Sequence, residues 1–132
     1  LEAKKAALAL PNVRFLGNVT QDALCRLYNI ADVDLVPSRR EPFGLVAVEA
    51  MACGTPVIAT NEGGLPDFVN DSVGALVPVE DAEALADAIL KTLDRAVGNP
   101  AWRADVQAYS QTNYSQAAII QELIALYQSV LG

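Results

Sequence analysis

The stretch "REPFGLVAVEAMACGTPV", residues 40–57, carries two carboxylates, Glu41 and Glu49, in an otherwise largely apolar run after Arg40. Residues 44–53 read as a helix that is apolar on all sides but for Glu49, so the fold should cover it on most sides. Gly54 ends it. A short apolar strand, Val33–Pro37, precedes it, and a second, the β-branched Val57–Thr60, follows. Short buried strands joined through a helix imply a parallel sheet.

Working outward, the alternation continues. Toward the N-terminus lie a helical pattern over Glu2–Leu10 and a strand Val13–Leu16 (VRFL) ending at Gly17. Thr20 caps a helix that runs to about Ala31, with Leu24, Leu27, Tyr28 and Ala31 on one face. Toward the C-terminus, Asn61–Asp67 reads as a loop and Ala75–Val77 as a fourth strand. Three helices follow, Asp81–Val97, Pro100–Ser110 and Ser115–Leu131, the first two parted by Gly98-Asn99-Pro100. The expected fold is α/β: a Rossmann-like, doubly wound parallel sheet with flanking helices, residues 1–132 forming a single domain with C-terminal helices from about 81.

Composition narrows the function. At 132 residues and 52% hydrophobic, the chain can bury one substantial core. No apolar run approaches the roughly 20 residues of a membrane span, and no signal-peptide pattern opens the sequence. There is no histidine, so the commonest general base and transition-metal ligand is missing. A net charge of −7 argues against a nucleic-acid partner. Cys25 and Cys53 lie in apolar helical patterns and are expected as buried free thiols, which points to a reducing, cytoplasmic setting. The chain opens at Leu1 inside a helical pattern, so we expect a piece of something longer, truncated at the N-terminus.

A sheet of this type binds ligands at the carboxyl ends of its strands. The residues after Val33–Pro37 lie there, and the N–H groups of Gly44, Leu45 and Val46 at the next helix start offer an anion site suited to phosphate. Glu49 stands about 7 Å farther along the axis. A lone buried carboxylate costs several kcal/mol unless hydrogen-bonded. Ribose hydroxyls would satisfy it; so would solvent or a loop amide. Arg39 is near the site, whereas Arg40 reads as a surface residue. Asp32-Val-Asp34 spells a metal-binding D-x-D, but it precedes its strand, at the end away from the ligand. Gly63-Gly64 is either a backbone contact to the ligand or a plain turn, and Cys53 reads as packing.

The spacing Glu41-x7-Glu49 resembles the E-x7-E motif of retaining glycosyltransferases with the GT-B architecture, especially family 4. "FLGNV", "ADVDLVPSRREPFGLVAVEAMACGTPVIATNEGGLPDFV" and "GALVPVEDAEALADAI" match as well. The resemblance is dense over roughly residues 12 to 93 and loose in the last helix. It implies the donor-nucleotide-binding, C-terminal half of a hexosyltransferase-like enzyme. Glu49 then corresponds to the ribose-binding glutamate, and Glu41 to the catalytic residue beside the donor sugar, orienting a hydroxyl and favouring developing positive charge. Phe43, Gly44 and Leu45 match a turn whose amides meet the sugar, with Leu45 and Val46 leading toward the diphosphate. Gly17, Asn18 and Val19 match the loop that contacts the nucleobase.

The same resemblance implies transfer from a UDP-, GDP- or ADP-sugar to an acceptor hydroxyl without metal or cofactor. Attack is on the front face, and the leaving phosphate helps take the proton. The partners implied are the nucleotide-sugar donor and an N-terminal acceptor-binding domain of the parent chain, in the cytoplasm or at the inner membrane face. Two departures stand out. The basic pair that grips the diphosphate in this family matches no segment here, so the chain alone is expected to be inactive. The turn "NDSVGAL" is about one residue short. A non-catalytic nucleotide-sugar-binding module is the alternative; a dinucleotide-dependent oxidoreductase is disfavoured because no G-x-G-x-x-G follows a strand. The family's sheet order, 3-2-1-4-5-6, makes Val13–Leu16 the third strand and leaves a gap beside Val33–Pro37. We therefore expect these two segments to pair directly, or a second copy to fill the gap and cause self-association.

Overall fold

Three short strands, β1 (Asp34–Val36), β2 (Val57–Thr60) and β3 (Gly74–Val77), form one parallel sheet in the order β1-β2-β3. The computed structural model describes residues 2–131. Helices α3 (Leu45–Ala52) and α4 (Leu65–Phe68) make the two crossovers. Helices α1 (Glu2–Ala7) and α2 (Gln21–Ile30) precede the sheet, and α5 (Ala82–Gly98), α6 (Trp102–Tyr114) and α7 (Gln116–Leu131) follow it. In register, Asp34 faces Val57 and Thr60 faces Val77.

The alternation of β2 sorts the core into two layers, as expected of a doubly wound sheet. Val57 and Ala59 pack with Ala47, Ala50 and Met51 of α3 and with Trp102 and Val106 of α6. Ile58 points the other way, into a smaller cluster with Val77 and Ala88 of α5. Every residue of β2 is buried, which is why a four-residue strand can be wholly apolar but for its last residue. Side-chain oxygens start three of the helices: Thr20 accepts the Ala23 N–H at 3.3 Å, Asp81 the Ala84 N–H at 2.9 Å, and Ser115 the Ala118 N–H at 3.2 Å.

Helix α6 clamps the far end of α3. Gln107 donates to the Ala52 carbonyl at 3.0 Å and Ser110 to the Val48 carbonyl at 3.3 Å. Arg103 donates to the Ala31 and Asn29 carbonyls at 2.6 and 3.2 Å, tying down the end of α2. The buried Trp102 donates its indole N–H to the Ser72 carbonyl at 2.6 Å, beneath the Arg95 guanidinium 4.0 Å from the ring. These polar ties use residues the apolar pattern does not reveal, and they fix α3 in place.

Four expectations need correcting. Val13–Leu16 forms no strand; Phe15 and Leu16 are exposed, and the Val13 N–H bonds only to the Leu10 carbonyl. It does not pair with β1, so β1 has one ladder partner, β2, among the described residues. An apolar tetrapeptide without a neighbouring strand has no ladder to hold it extended. Asn61–Asp67 is not all loop, because Leu65 is buried and α4 starts there around Pro66. Leu45 and Val46 at the head of α3 are exposed, so that helix is covered along its length but open at its entrance. The thiols differ too: Cys25 is exposed and Cys53 half-buried.

Candidate functional site

Glu41 follows β1 at the carboxyl edge of the sheet, and its half-buried carboxylate is held from two sides. One oxygen accepts the Gly44 N–H at 3.1 Å; the other accepts the Ser38 hydroxyl at 3.4 Å. Gly44 is the cap residue of α3, with φ +71, and a side chain there would press on Leu65. The bend turns the chain so that Glu41 lies beside the helix entrance. The N–H groups of Leu45 and Val46 have no acceptor among the described residues, leaving two donors of the helix N-terminus open. Phe43 is 71% exposed beside them.

Thr60, which the sequence reading missed, and the glycine pair Gly63-Gly64, read there as a ligand contact or a plain turn, brace this loop. Thr60, at the end of β2, donates its buried hydroxyl to the Ser38 carbonyl at 2.6 Å, fixing the residue that in turn donates to Glu41. Gly63 and Gly64 pack directly on residues 41–43. The Gly64 N–H donates to the Glu41 carbonyl at 3.0 Å, and a Cβ on Gly63 would lie 1.9 Å from that carbonyl oxygen. The glycine pair is therefore a close-packing device that sets the Glu41 backbone. A threonine ending a strand and a glycine pair opposite the motif were the signals for both.

Glu49, on the second turn of α3, is half-buried and accepts no hydrogen bond from the described residues. Its lone pairs are left for solvent or ligand. Its neighbours are visible through their acidities. Burial, followed by the nearby carboxylates of Asp34 and Glu49, pushes the Tyr28 phenol up to about 12. Burial also pushes the Cys53 thiol up, together with its hydrogen bond to Cys25. Glu49 thus lies near Tyr28 and Cys53.

Gly17, Asn18 and Val19 lie in an exposed turn before α2, with Gly17 at φ +65. No hydrogen bond among the described residues links them to residues 41–49. Arg39 is engaged on the surface by Glu80 at 2.8 Å, with both side chains more than half exposed. Beside them, a cleft of about 590 Å³ at the strand ends lies between Arg39, Thr60, Val77, Glu80 and Lys4. Asp34 opens β1 at its amino end and is pushed up by burial, while Asp32 is exposed.

Residues 1–111 match the sequence model of the family described as glycosyl transferases group 1. The chain is 43% identical over 121 residues to a D-inositol 3-phosphate glycosyltransferase of Mycolicibacterium smegmatis, covering 91% of this chain and 27% of that protein. It spans about a quarter of the length of the curated relatives it matches. Among solved structures, sucrose-phosphate synthase of Thermosynechococcus elongatus superposes with a TM-score of 0.78 at 39% identity, over 98% of this chain and 33% of that one. Anabaena HepE in complex with UDP gives a TM-score of 0.82 at 28% identity, over 97% and 35%.

Proposed function

The chain belongs to the group 1 glycosyl transferases, and from that premise we propose that it is the donor-binding domain of a retaining, metal-independent enzyme transferring a sugar from a nucleotide-sugar to an acceptor hydroxyl. The observation that carries this reading is the Glu41–Gly44 hydrogen bond at the carboxyl edge of a parallel sheet. It sets a carboxylate beside the open N–H groups of Leu45 and Val46. A diphosphate calls for those donors, and sugar hydroxyls call for that carboxylate.

The residues take up distinct tasks. Leu45 and Val46 present their amides to the diphosphate, and Phe43 presents its amide to the sugar, while the Gly44 N–H holds the Glu41 carboxylate beside them. Glu49 accepts from the vicinal ribose hydroxyls, which is why no protein group occupies it. Gly17–Val19 offers its exposed backbone to the nucleobase. As the bond from the sugar to the phosphate lengthens, positive charge grows on the ring, and Glu41 stabilises it while holding a hydroxyl. The acceptor oxygen attacks from the side the phosphate leaves, and a phosphate oxygen takes its proton. Catalysis is positioning and charge stabilisation.

We assign a UDP-sugar as donor, a choice supported by the likeness to the Anabaena protein solved with UDP. The acceptor falls to an N-terminal domain of a longer protein, a reading supported by the quarter-length match to the relatives. Residues 1–132 alone then bind donor weakly and do not transfer it. The working compartment in this reading is the cytoplasm or the inner membrane face. A thermal-shift comparison of UDP-, GDP- and ADP-sugars on the complete enzyme tests the assignment. The UDP-sugar should raise the melting temperature most; no response to any of the three contradicts it.

A further inference from the structure

Cys25 on α2 and Cys53 at the end of α3 bring their sulfurs to 3.8 Å, although 28 positions separate them in the chain. We propose that this pair is a covalent modification site, an oxidisable dithiol that exchanges with low-molecular-weight disulfides to form an intrachain bond between α2 and α3. It goes beyond the donor-binding function and does not depend on it.

Three features of the pair favour this chemistry. Cys25 is exposed, so a small disulfide can reach it, whereas Cys53 is half-buried directly behind it. Bond formation needs sulfurs at about 2.05 Å, so the two must close by less than ~2 Å, within reach of side-chain rotation and a small helix shift. The surroundings hold the partners in place. Asn29 donates to the Cys25 carbonyl at 2.8 Å and to its sulfur at 3.6 Å, and Arg103, which anchors the end of α2, favours the Cys53 thiolate.

The order of events follows from access. Cys25 is exposed and Cys53 half-buried behind it, so Cys25 attacks first. Its thiolate displaces one glutathione from glutathione disulfide, leaving a mixed disulfide on Cys25. The Cys53 sulfur, losing its proton, then displaces the second glutathione. Two protein thiols are oxidised and one glutathione disulfide is reduced to two glutathiones.

The test uses the full reduced chain incubated with excess glutathione disulfide, quenched by alkylation and weighed intact. The expected end state is a monomer lighter by two hydrogens, with both cysteines protected from alkylation and both released by dithiothreitol. Cys53→Ser should stop at a stable glutathione adduct on Cys25, and Cys25→Ser should leave Cys53 unmodified over the same interval. A stable glutathione adduct on the unsubstituted chain, disulfide-linked chain dimers, or two unreactive thiols would each overturn the proposal. A peptide map that places the bond anywhere but Cys25–Cys53 would do the same.

Discussion

The carbonyl oxygen of Glu41 lies where a side chain on Gly63 would begin, 1.9 Å from the position of its Cβ. Gly63 also has φ +57, so a larger residue there meets both a clash and a strained backbone. Gly63→Ala should destabilise the fold by at least about 2 kcal/mol. It should also lower the turnover of the complete enzyme at temperatures where the protein remains folded, because the Glu41 loop has to move. Chemical denaturation and steady-state kinetics read the two effects; an unchanged midpoint and unchanged kcat would show that the contact is slack.

The two glutamates of the motif should separate kinetically. Glu49→Ala removes a ribose partner present before and during reaction, so KM for donor rises while kcat changes little. Glu41→Ala removes a group whose partner is the sugar on which charge develops, so kcat falls more than donor affinity. If both variants kept kcat/KM within about twofold, a change under ~0.5 kcal/mol, neither glutamate would belong to the donor site.

How much of this could be read from the sequence differs by element. The strand–helix–strand unit around residues 33–60 was legible because β2 is buried on both faces and α3 is apolar through to Cys53, so local pattern and tertiary setting agree. Thr20 announced its helix through capping, whereas Asp81, read as the first residue of its helix, proves to be its cap. Val13–Leu16 misled because its apolar pattern presumes a neighbouring strand that the fold does not provide. Glu41 and Glu49 were visible as charges in an apolar run. Ser38 and Thr60 were not, and Gly63 was visible only as a possible ligand contact or turn, since each acts on the Glu41 loop through a contact that spacing does not encode.

The open side of β1 gives a prediction about association. Leu35 is 40% exposed, and no strand pairs that edge among the described residues. An uncovered strand edge recruits another chain. Light scattering over a concentration series should show a mass rising above that of the monomer, and a strictly monomeric chain at the highest concentrations would contradict this.

Asp34 supplies a pH dependence. Burial holds the pKa of the folded Asp34 carboxyl above the ordinary carboxylate value, so folding favours the protonated form. Stability from this group is therefore full below the ordinary value of 3.8 and is lost as pH rises through the higher folded value. Asp34→Asn should raise the melting temperature at neutral pH, and the gain should shrink as the medium is made acidic. A gain independent of pH would mean that packing, not charge, causes it.

In this reading the entrance of α3 binds a nucleotide-sugar. Amide chemical shifts of the isotope-labelled chain, titrated with UDP-glucose to millimolar levels, test it most directly because they register weak binding residue by residue. Saturable shifts are expected on the amides of Gly44, Leu45 and Val46, with smaller ones at Gly17–Val19, and a weaker titration in Glu49→Ala. No shift at these amides, or saturable shifts gathered elsewhere on the chain, would contradict it.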